Sequence, residues 1–317
     1  MPVLKTKTHL NHQSYTVALI CALEIELSAA RYMLDEEHER LPTHKLDPNI
    51  YVLGTLSGHN VVIAALPRGS LGTVSAATVA THLSRTFPAI VLRLLVGIGG
   101  GIPSAQNDIR LGDVVVTLGG VVEYDLGKET ANGFQRKGTR CPPPAEWQSA
   151  MTKMRVRSRT QSNRIDEFIS EMLRRHPRLV QYRRPTPERD NLYSADYNHA
   201  VKGDTCARCD PSKRVSRRQR APAPAVFYGL IASGNRVIKN AQTRDKLAQA
   251  AGGAICFEME AAGLMKQFQC IVIRGIADYS DSHKNDDWHG YAAAAAAAVA
   301  KEILTYIDPV RRPVGYS

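Results

Sequence analysis

Two carboxylates stand inside an apolar stretch of the sequence. The segment "FEMEAAGL" (257–264) places Glu258 and Glu260 among residues that we expect to be buried. Burying a carboxylate is costly unless the group is ion-paired or hydrogen-bonded. In a strand, residues two apart point to the same side, so both acids would face one direction. The pattern predicts a partner for them, either a ligand or an arginine such as Arg274.

Two further carboxylates lie next to strand-like runs. Asp278, in "RGIADYSD", follows a buried strand, and open α/β sheets bind ligands outside the carboxyl ends of their strands. Glu26, in "ALEIEL", falls in the first turn of a predicted helix. A simpler interpretation exists for each, because Asp278 suits a turn or a helix N-cap and Glu26 suits the positive end of a helix dipole. Position alone leaves both interpretations open.

A third feature is a C-x-x-C pair, Cys206 and Cys209, with His199 seven residues before it. A structural zinc ion needs a fourth ligand, and no second C-x-x-C follows. Zinc is therefore one interpretation, and a pair of free or packing thiols is the one that we favour. A redox role has less support, because the pair lies in a charged loop and not at the start of a helix.

The bulk composition is that of an ordinary globular protein. Apolar residues make up 44% of the 317 and charged residues 22%, near the usual averages of about 45–50% and 25%. No apolar run reaches the roughly 18 residues of a membrane span, and the N-terminus lacks the apolar centre of a signal peptide. Six cysteines are too few to suggest a disulfide framework. We expect a soluble, cytoplasmic protein with no membrane partner.

The net charge of +11 is concentrated in one segment. Residues 151–220 contain 18 Lys or Arg and 8 Asp or Glu, a net charge of +10. Such a segment suits a polyanion, either the phosphates of a nucleotide or a nucleic acid. Nucleic acid is not favoured, because few aromatic residues interleave with the charges. The basic candidates for phosphate contacts are Arg183, Arg184, Lys213, Arg214, Arg217 and Arg218.

Strand-like and helix-like runs alternate on both sides of this segment. A β-branched run at 15–21 precedes helical periodicity at 24–40, and two apolar runs flank a hairpin at 57–59. Alternation predicts a mostly parallel sheet with helices on both faces, and the hairpin makes the sheet mixed. We therefore predict a single α/β domain over residues 1–317. Within it we place a basic insertion at about 151–222 and a tail at 307–317.

Five motifs together resemble the purine and uridine phosphorylase family, which includes phosphorylases, methylthioadenosine/adenosylhomocysteine nucleosidases and AMP nucleosidase. The motifs are "ALEIEL", "GSLGTVSAA", "VGIGGGIP" followed by "LGDVVV", "SGNRVI", and "FEMEAAGL" with "RGIADYSD". The resemblance covers about 15–306, except for most of the basic segment. It is strongest to the nucleoside-phosphorylase-like domains of fungal NACHT and ankyrin-repeat proteins, in which "GVVEYDLGK", the C-x-x-C and "DSHKND" have counterparts.

The resemblance implies the nucleoside phosphorylase fold, a purine nucleoside or nucleotide as ligand, a homo-oligomer and no cofactor. It also implies fusion to, or action with, NACHT or repeat regulatory domains, in an immune-effector role in which adenine is removed from ATP. None of these implications follows from composition or periodicity.

The resemblance also assigns roles to residues. It implies that Asp278 protonates N7 of the purine, that Glu260 binds the ribose hydroxyls with Met259 against the sugar, and that Glu26 activates water. Glu258 either faces the same site or pairs with an arginine. As an acid, Asp278 would need to hold a proton near neutral pH, which requires burial or a neighbouring carboxylate.

The other implied site residues are apolar or glycine. Val237 and Ile238, in "SGNRVI", would lie against the base, although two apolar residues also suit the core. The glycine cluster, Gly97 with Gly99 to Gly101, would let backbone N–H groups approach a ligand, or would simply form a tight turn.

Water is the nucleophile that the sequence favours. Phosphorylases of the family hold phosphate with two arginines, one in the first helix and one two residues before the glycine cluster. Leu95 occupies the second position, Arg93 is displaced by two, and Arg31 is too far from Glu26 to match the first. Arg68, in "LPRGSLG", remains a candidate anion ligand.

We therefore predict a nucleosidase that releases adenine from an adenine nucleoside or nucleotide. His283 and Lys284, in the loop after Asp278, are candidate ligands for the phosphates of a nucleotide. A purine nucleoside phosphorylase that uses inorganic phosphate is one alternative. A module that senses purine nucleotides without catalysis is another, although binding alone does not demand an acid beside the base.

Overall fold

The structure is a computed structural model that describes residues 10–131, 133–200, 205–221 and 223–309. The last part of the predicted tail, 310–317, lies outside the described residues, as do positions 201–204 and 222 of the basic segment. The strands are β1 (Val17–Cys21), β2 (Glu36–Glu37), β3 (Tyr51–Leu56), β4 (His59–Ala65), β5 (Leu92–Gly101), β6 (Val114–Glu123), β7 (Gly127–Thr130), β8 (Gly133–Arg136), β9 (Arg140–Cys141), β10 (Val226–Ser233), β11 (Cys256–Glu258) and β12 (Ile271–Asp278). The helices are α1 (Glu24–Tyr32), α2 (Thr73–Thr86), α3 (Ala145–Arg157), α4 (Ile165–Arg175), α5 (Ala241–Ala250), α6 (Ala261–Met265) and α7 (His289–Leu304).

One mixed sheet forms the centre of the molecule. Its strands follow the order β11-β10-β6-β12-β5-β1-β4-β3-β2, with β9 paired to β6. The pairs β1–β4, β1–β5, β5–β12, β6–β10 and β10–β11 are parallel. Because β11 also pairs antiparallel with β5, the strands β11, β10, β6, β12 and β5 close into a circuit. The predicted mixed sheet is confirmed.

Helices cover both faces of this sheet. Every residue of β1 and β12 is buried, and successive strand residues point to opposite faces, so neither face is open there. Helix α7 packs on β12 and β5 and contacts α1 and α4, while α2 packs on α6. Across the described residues, no helix combines the length and the apolar character needed to cross a membrane.

The predicted hairpin is also confirmed, and the first predicted helix is too long. Ser57 and Gly58 join β3 to β4 with φ of 49° and 80°, as in the two-residue turns that match strand twist. Helix α1 ends at Tyr32 and does not continue to residue 40. The reason is that Glu36 and Glu37 form the edge strand β2, which pairs with β3.

The glycine cluster is part of a strand. Strand β5 continues to Gly101, and Gly97, Gly99 and Gly100 are absent from the residues with positive φ. The interpretation as a tight turn is therefore wrong. These glycines sit at the carboxyl end of a central parallel strand, where ligands of α/β sheets bind.

The basic segment is tied to the domain by internal ion pairs. Its predicted start, residue 151, falls inside α3. Arg217 donates to the Asp108 carboxylate and to the Tyr279 hydroxyl, each at 2.7 Å. Arg220 makes a two-point ion pair with the buried Asp113, at 2.5 and 2.9 Å. Arg217 is thus taken up by structural contacts, and its suggested role as a phosphate ligand is not supported.

Candidate active site

A cavity of about 210 Å³ opens at the carboxyl ends of β1, β5, β11 and β12. Predicted site residues from five separate segments line it, and folding alone brings them together. They are Glu26, Gly99, Gly100, Val237, Ile238, Glu258, Met259, Glu260, Asp278 and Lys284. Convergent polar groups in a largely apolar cavity are typical of a site for a small molecule.

Arg274 is the partner that the buried acids require. It lies on β12 with its side chain 1% exposed, and its Nη2 donates to Glu258 Oε2 at 2.6 Å and to Glu260 Oε2 at 3.1 Å. Its Nη1 lies 4.0 Å from Oε1 of Glu26. Burial lowers the pKa of Arg274, but the charges of these three carboxylates raise it further, so the guanidinium stays charged.

Glu258 has a structural role. Its carboxylate accepts the backbone N–H groups of Glu260 at 3.1 Å and Ala261 at 3.0 Å, in addition to Arg274. These contacts hold the first turn of α6 and orient Arg274. Of the two interpretations of Glu258, the structure therefore favours pairing with arginine over a contact with ribose.

Glu260 is less fully satisfied by protein groups and faces the cavity. Burial raises its pKa most, Arg274 opposes this, and the charges of Glu258 and Glu26 add to the increase, which brings the pKa to about 7. The Gly72 N–H acts in the opposite direction. Hydroxyl donors from a ligand would stabilise the ionised form, because a carboxylate accepts strong charge-assisted hydrogen bonds.

Glu26 links the start of α1 to β5. Its Oε2 accepts the N–H groups of Ala22 at 2.7 Å and Leu23 at 2.9 Å, and its Oε1 accepts that of Ile98 at 2.8 Å. Burial raises the pKa of Glu26, and Arg274 and the three N–H groups limit the increase. Glu26 is therefore a first-turn residue that also lines the cavity, and its role in activating water stays a prediction.

Asp278 ends β12 where the pairing with β5 shifts register. Its Oδ1 accepts the Ser280 N–H at 2.8 Å, so the turn interpretation is correct for this oxygen. Its Oδ2 forms a short ion pair with the ammonium group of Lys284. The loop that follows β12 thus brings an acid and a cation together in the cavity.

The glycines of β5 make room for these groups. A Cβ atom at Gly100 would lie 2.9 Å from Asp278 Oδ1, and one at Gly97 would lie 2.5 Å from Arg274 Nη1 and closer still to Glu26 Oε1. Gly97 does not line the cavity, so its role is to let the buried ion pairs form and not to approach the ligand.

We expect Gly97→Ala to reduce activity about 10- to 100-fold and to lower the free energy of unfolding by about 1–3 kcal/mol, because overpacking must displace Glu26 or Arg274. Steady-state kinetics and urea unfolding of the purified variant would measure both effects. Wild-type activity would show that Glu26 does not need its observed position.

Other predicted residues lie outside this cavity. Arg68 is exposed on the loop between β4 and α2, and the structure does not bring it to the acids. His283 lies in a second, smaller cavity behind Asp278, together with Asp281 and Cys206. Neither residue lines the main cavity.

Several lining residues were not predicted from the sequence. Arg236 is exposed and lines the cavity. It belongs to the "SGNRVI" motif, from which only Val237 and Ile238 were predicted as site residues, so the motif could have indicated it. His289 begins α7, and burial lowers its pKa, which favours a neutral imidazole. Phe257 and Leu71 add apolar surface.

Comparison with known proteins supports this description. The chain is 45% identical over 304 residues to a nucleotide-binding leucine-rich repeat (NLR)-like protein of Hyaloscypha variabilis, covering 94% of this chain and 30% of that protein. It is 24% identical to a 5'-methylthioadenosine/S-adenosylhomocysteine nucleosidase of Mycobacterium bovis, covering 91% and 95%. It is 23% identical to the ATP nucleosidase Cap17 of Escherichia coli, covering 92% and 51%. No protein-family model matches the chain.

Solved structures agree on the fold. The chain superposes with a TM-score of 0.59 and 19% identity on the methylthioadenosine/S-adenosylhomocysteine nucleosidase of Neisseria meningitidis in complex with methylthio-immucillin-A, covering 92% of this chain and 99% of that one. The predicted nucleoside phosphorylase fold is confirmed. The similarities in sequence and fold are consistent with the nucleoside phosphorylase and nucleosidase superfamily, which the five motifs also resemble. It spans only about a third of the NLR-like relative and about half of Cap17.

Proposed function

We propose that this chain hydrolyses the N-glycosidic bond of an adenine nucleoside or nucleotide and releases adenine. The observation that carries the proposal is that Glu26, Glu260 and Asp278, from three separate elements, line one cavity above a buried arginine. Glycosyl transfer passes through a sugar with oxocarbenium character. It therefore requires an acid for the leaving base, a clamp for the sugar and an activated nucleophile, and one carboxylate is available for each task.

We assign to these residues the roles that the family resemblance implies. Asp278 donates a proton to N7 as the bond between C1′ and the base breaks and its electron pair moves to the base. Glu260 accepts the ribose hydroxyls, with Met259 against the sugar. Glu26 takes a proton from the water that attacks C1′. Because burial raises its pKa, Glu26 is a stronger base than an exposed carboxylate.

Water is proposed as the nucleophile because the two arginine positions that hold phosphate in phosphorylases of the family are not supplied in this chain. Leu95 is fully buried in β5. The Arg93 guanidinium lies over the Phe268 ring, 5.0 Å from its centroid, and Arg31 pairs with Glu37 at 2.8 Å. Arg93 and Arg31 are thus engaged elsewhere.

Two cations at the cavity make a nucleotide the better substrate. Arg236 and Lys284 both line it, and Lys284 can exchange its ion pair with Asp278 for one with a substrate phosphate. Such an exchange would remove the cation from Asp278 when a phosphorylated substrate is bound, so that this carboxyl group could carry the proton that it donates. The name of the relative Cap17 makes ATP the first nucleotide to test.

We expect Arg236→Gln to lower kcat/KM for ATP about tenfold while adenosine is hydrolysed at the wild-type rate, because a charged hydrogen bond to phosphate is lost. Arg68→Gln is the matched control, since it removes an exposed arginine outside the cavity. If Arg68→Gln lowered ATP hydrolysis and Arg236→Gln did not, phosphate would be bound on the 66–72 loop instead.

We further propose that this activity serves as an immune effector within a longer protein. The supporting observations are the NLR-like relative, of which the matched region is 30%, and Cap17, of which it is 51%. Depletion of adenine nucleotides in cells that express the chain, but not an Asp278→Asn variant, would test this role. Homo-oligomer formation stays a prediction.

The experiment that tests the proposed function is product analysis by chromatography. Purified protein is incubated with ATP, AMP, adenosine and inosine, each with and without inorganic phosphate. Free adenine without phosphate supports the nucleosidase. A requirement for phosphate with ribose 1-phosphate as product would instead establish a phosphorylase, and no free base under any condition would leave the nucleotide-sensing module.

A further inference from the structure

A second cluster of reactive side chains lies next to the loop that follows Asp278. One ring nitrogen of His199 and the sulfur atoms of Cys206 and Cys209 lie within 4.8 Å of one another. Cys209 is buried, and the other two are half-buried. Within the ranges 10–131, 133–200, 205–221 and 223–309, no other group of three or more His, Cys, Asp or Glu side chains is close enough together to hold a metal ion.

The dimensions of the cluster suit zinc. Tetrahedral zinc binds sulfur at about 2.3 Å and imidazole nitrogen at about 2.0–2.1 Å, which puts ligand atoms roughly 3–4 Å apart. The three atoms are already nearly that close without an ion. A C-x-x-C pair with one or two histidines is a common ligand set for structural zinc.

His283 provides a second and independent observation. It is 6% exposed, and neither of its ring nitrogens has a hydrogen-bond partner among the residues that the structure describes. Its ring stacks on Tyr193 at 4.1 Å and lies 5.3 Å from the ring of His199, centroid to centroid. Two imidazoles on one tetrahedral zinc have centroids about 5 Å apart. A buried polar group without a partner is accounted for by a bound ion.

The surroundings of His283 also match a metal site. Its Nδ1 lies 3.7 Å from Oδ1 of Asp281, so a small movement of the ring would bring it within hydrogen-bond distance of this carboxylate. Histidine ligands of zinc commonly donate their other ring N–H to a carboxylate in this way.

We propose that His199, Cys206, Cys209 and His283 bind one structural zinc ion, with Asp281 orienting His283. The ion would join the basic segment to the loop that carries Asp278 and Lys284, because His283 lies in that loop. One contact already connects the two, since the His199 N–H donates to Ser282 Oγ at 2.9 Å. Zinc would therefore brace the acid and the cation of the main cavity without touching the substrate.

The first test is the metal content of the full chain purified without a histidine tag. We expect one zinc per chain in the wild type and none in the double variant Cys206→Ser/Cys209→Ser. Cys141→Ser, a half-buried cysteine on β9, is the matched control and should keep the metal. Cobalt(II) added to the metal-free wild type should give the thiolate-to-cobalt charge-transfer absorption and the visible bands of a tetrahedral site. Metal-free wild type that takes up neither ion, with both thiols titratable or joined in a disulfide, would overturn the proposal.

A second test addresses the fourth ligand and the loop. We expect His283→Gln to weaken zinc binding at least tenfold in competition with a chelator, and unchanged affinity would overturn its assignment as a ligand. Removing zinc from the wild type should increase hydrogen exchange in residues 278–284, while exchange in β1 stays unchanged. Both readouts are independent of the proposed activity, so they can fail or succeed separately from it.

Discussion

Asp278→Asn is expected to lower the rate of adenine release by about 10²–10⁴-fold with little change in stability. The amide keeps the size of the side chain and can still accept the Ser280 N–H, but it cannot donate a proton to the leaving base. Because protonation of the base is needed in the transition state and not for binding, kcat should fall more than KM rises. Single-turnover measurement of adenine formation would show this directly.

Asp287→Asn is a suitable control for this variant. It makes the same change in the same loop, and its partner Arg189 lies at 3.2 Å with both side chains at the surface. Activity within about twofold of wild type is expected for it. If Asp278→Asn kept its activity, the leaving group would be protonated by another residue or by water, and the proposed mechanism would be wrong.

The three carboxylates that we propose for catalysis could be recognised in the sequence because each stands in a local motif. Glu26 lies in the first turn of α1, Glu260 is the N-cap of α6 and Asp278 ends β12. The carboxyl ends of parallel strands meet at one edge of the sheet, so their convergence follows from the fold class. The mixed α/β architecture needed only alternation and turn chemistry, whereas the strand order was not predicted and α1 ends earlier than its pattern indicates.

The electrostatic arrangement could not be predicted in the same way. The Arg274 guanidinium pairs with Glu258 and Glu260 and, at longer range, with Glu26. This arrangement depends on the register of β12 against β5 and on the missing side chain of Gly97. Local pattern carries no information on such register. Likewise, the sequence of the basic segment does not distinguish one arginine from another, although Arg217 forms an ion pair with Asp108 of the domain.

The loop after Asp278 shows the same limit at a shorter distance. His283 and Lys284 are neighbours in the sequence and were assigned one function, but a tight loop turns them to opposite sides. Lys284 lines the main cavity, whereas His283 lines the smaller cavity that Cys206 also lines. Side chains in an irregular loop do not alternate in direction with a fixed period, as they do in a helix or a strand. The direction of each side chain is therefore set by the tertiary structure.

Glu260→Gln is expected to separate activity from stability. Loss of charge-assisted hydrogen bonds to the ribose hydroxyls should lower kcat/KM by about 10²–10⁴-fold. The same change should stabilise the folded protein at pH 8, because Arg274 keeps its pair with Glu258 and one buried charge is removed. Glu129→Gln, an exposed position on β7, is the control and should alter neither property.

The pH dependence of this stabilisation tests its cause. Burial is the largest cause that raises the pKa of Glu260 from 4.5 to about 7; Arg274 opposes it, and the neighbouring acids add to it. The folded protein therefore binds this proton more tightly than the unfolded chain does. Stability from this group is therefore fully present below pH 4.5 and is lost as the pH rises to about 7. The loss amounts to about 3 kcal/mol at pH 8. Urea unfolding should give equal stabilities for wild type and Glu260→Gln near pH 4 and a more stable variant at pH 8. A variant that is less stable at pH 8 would mean that the ion pair with Arg274 outweighs the cost of burying the third carboxylate.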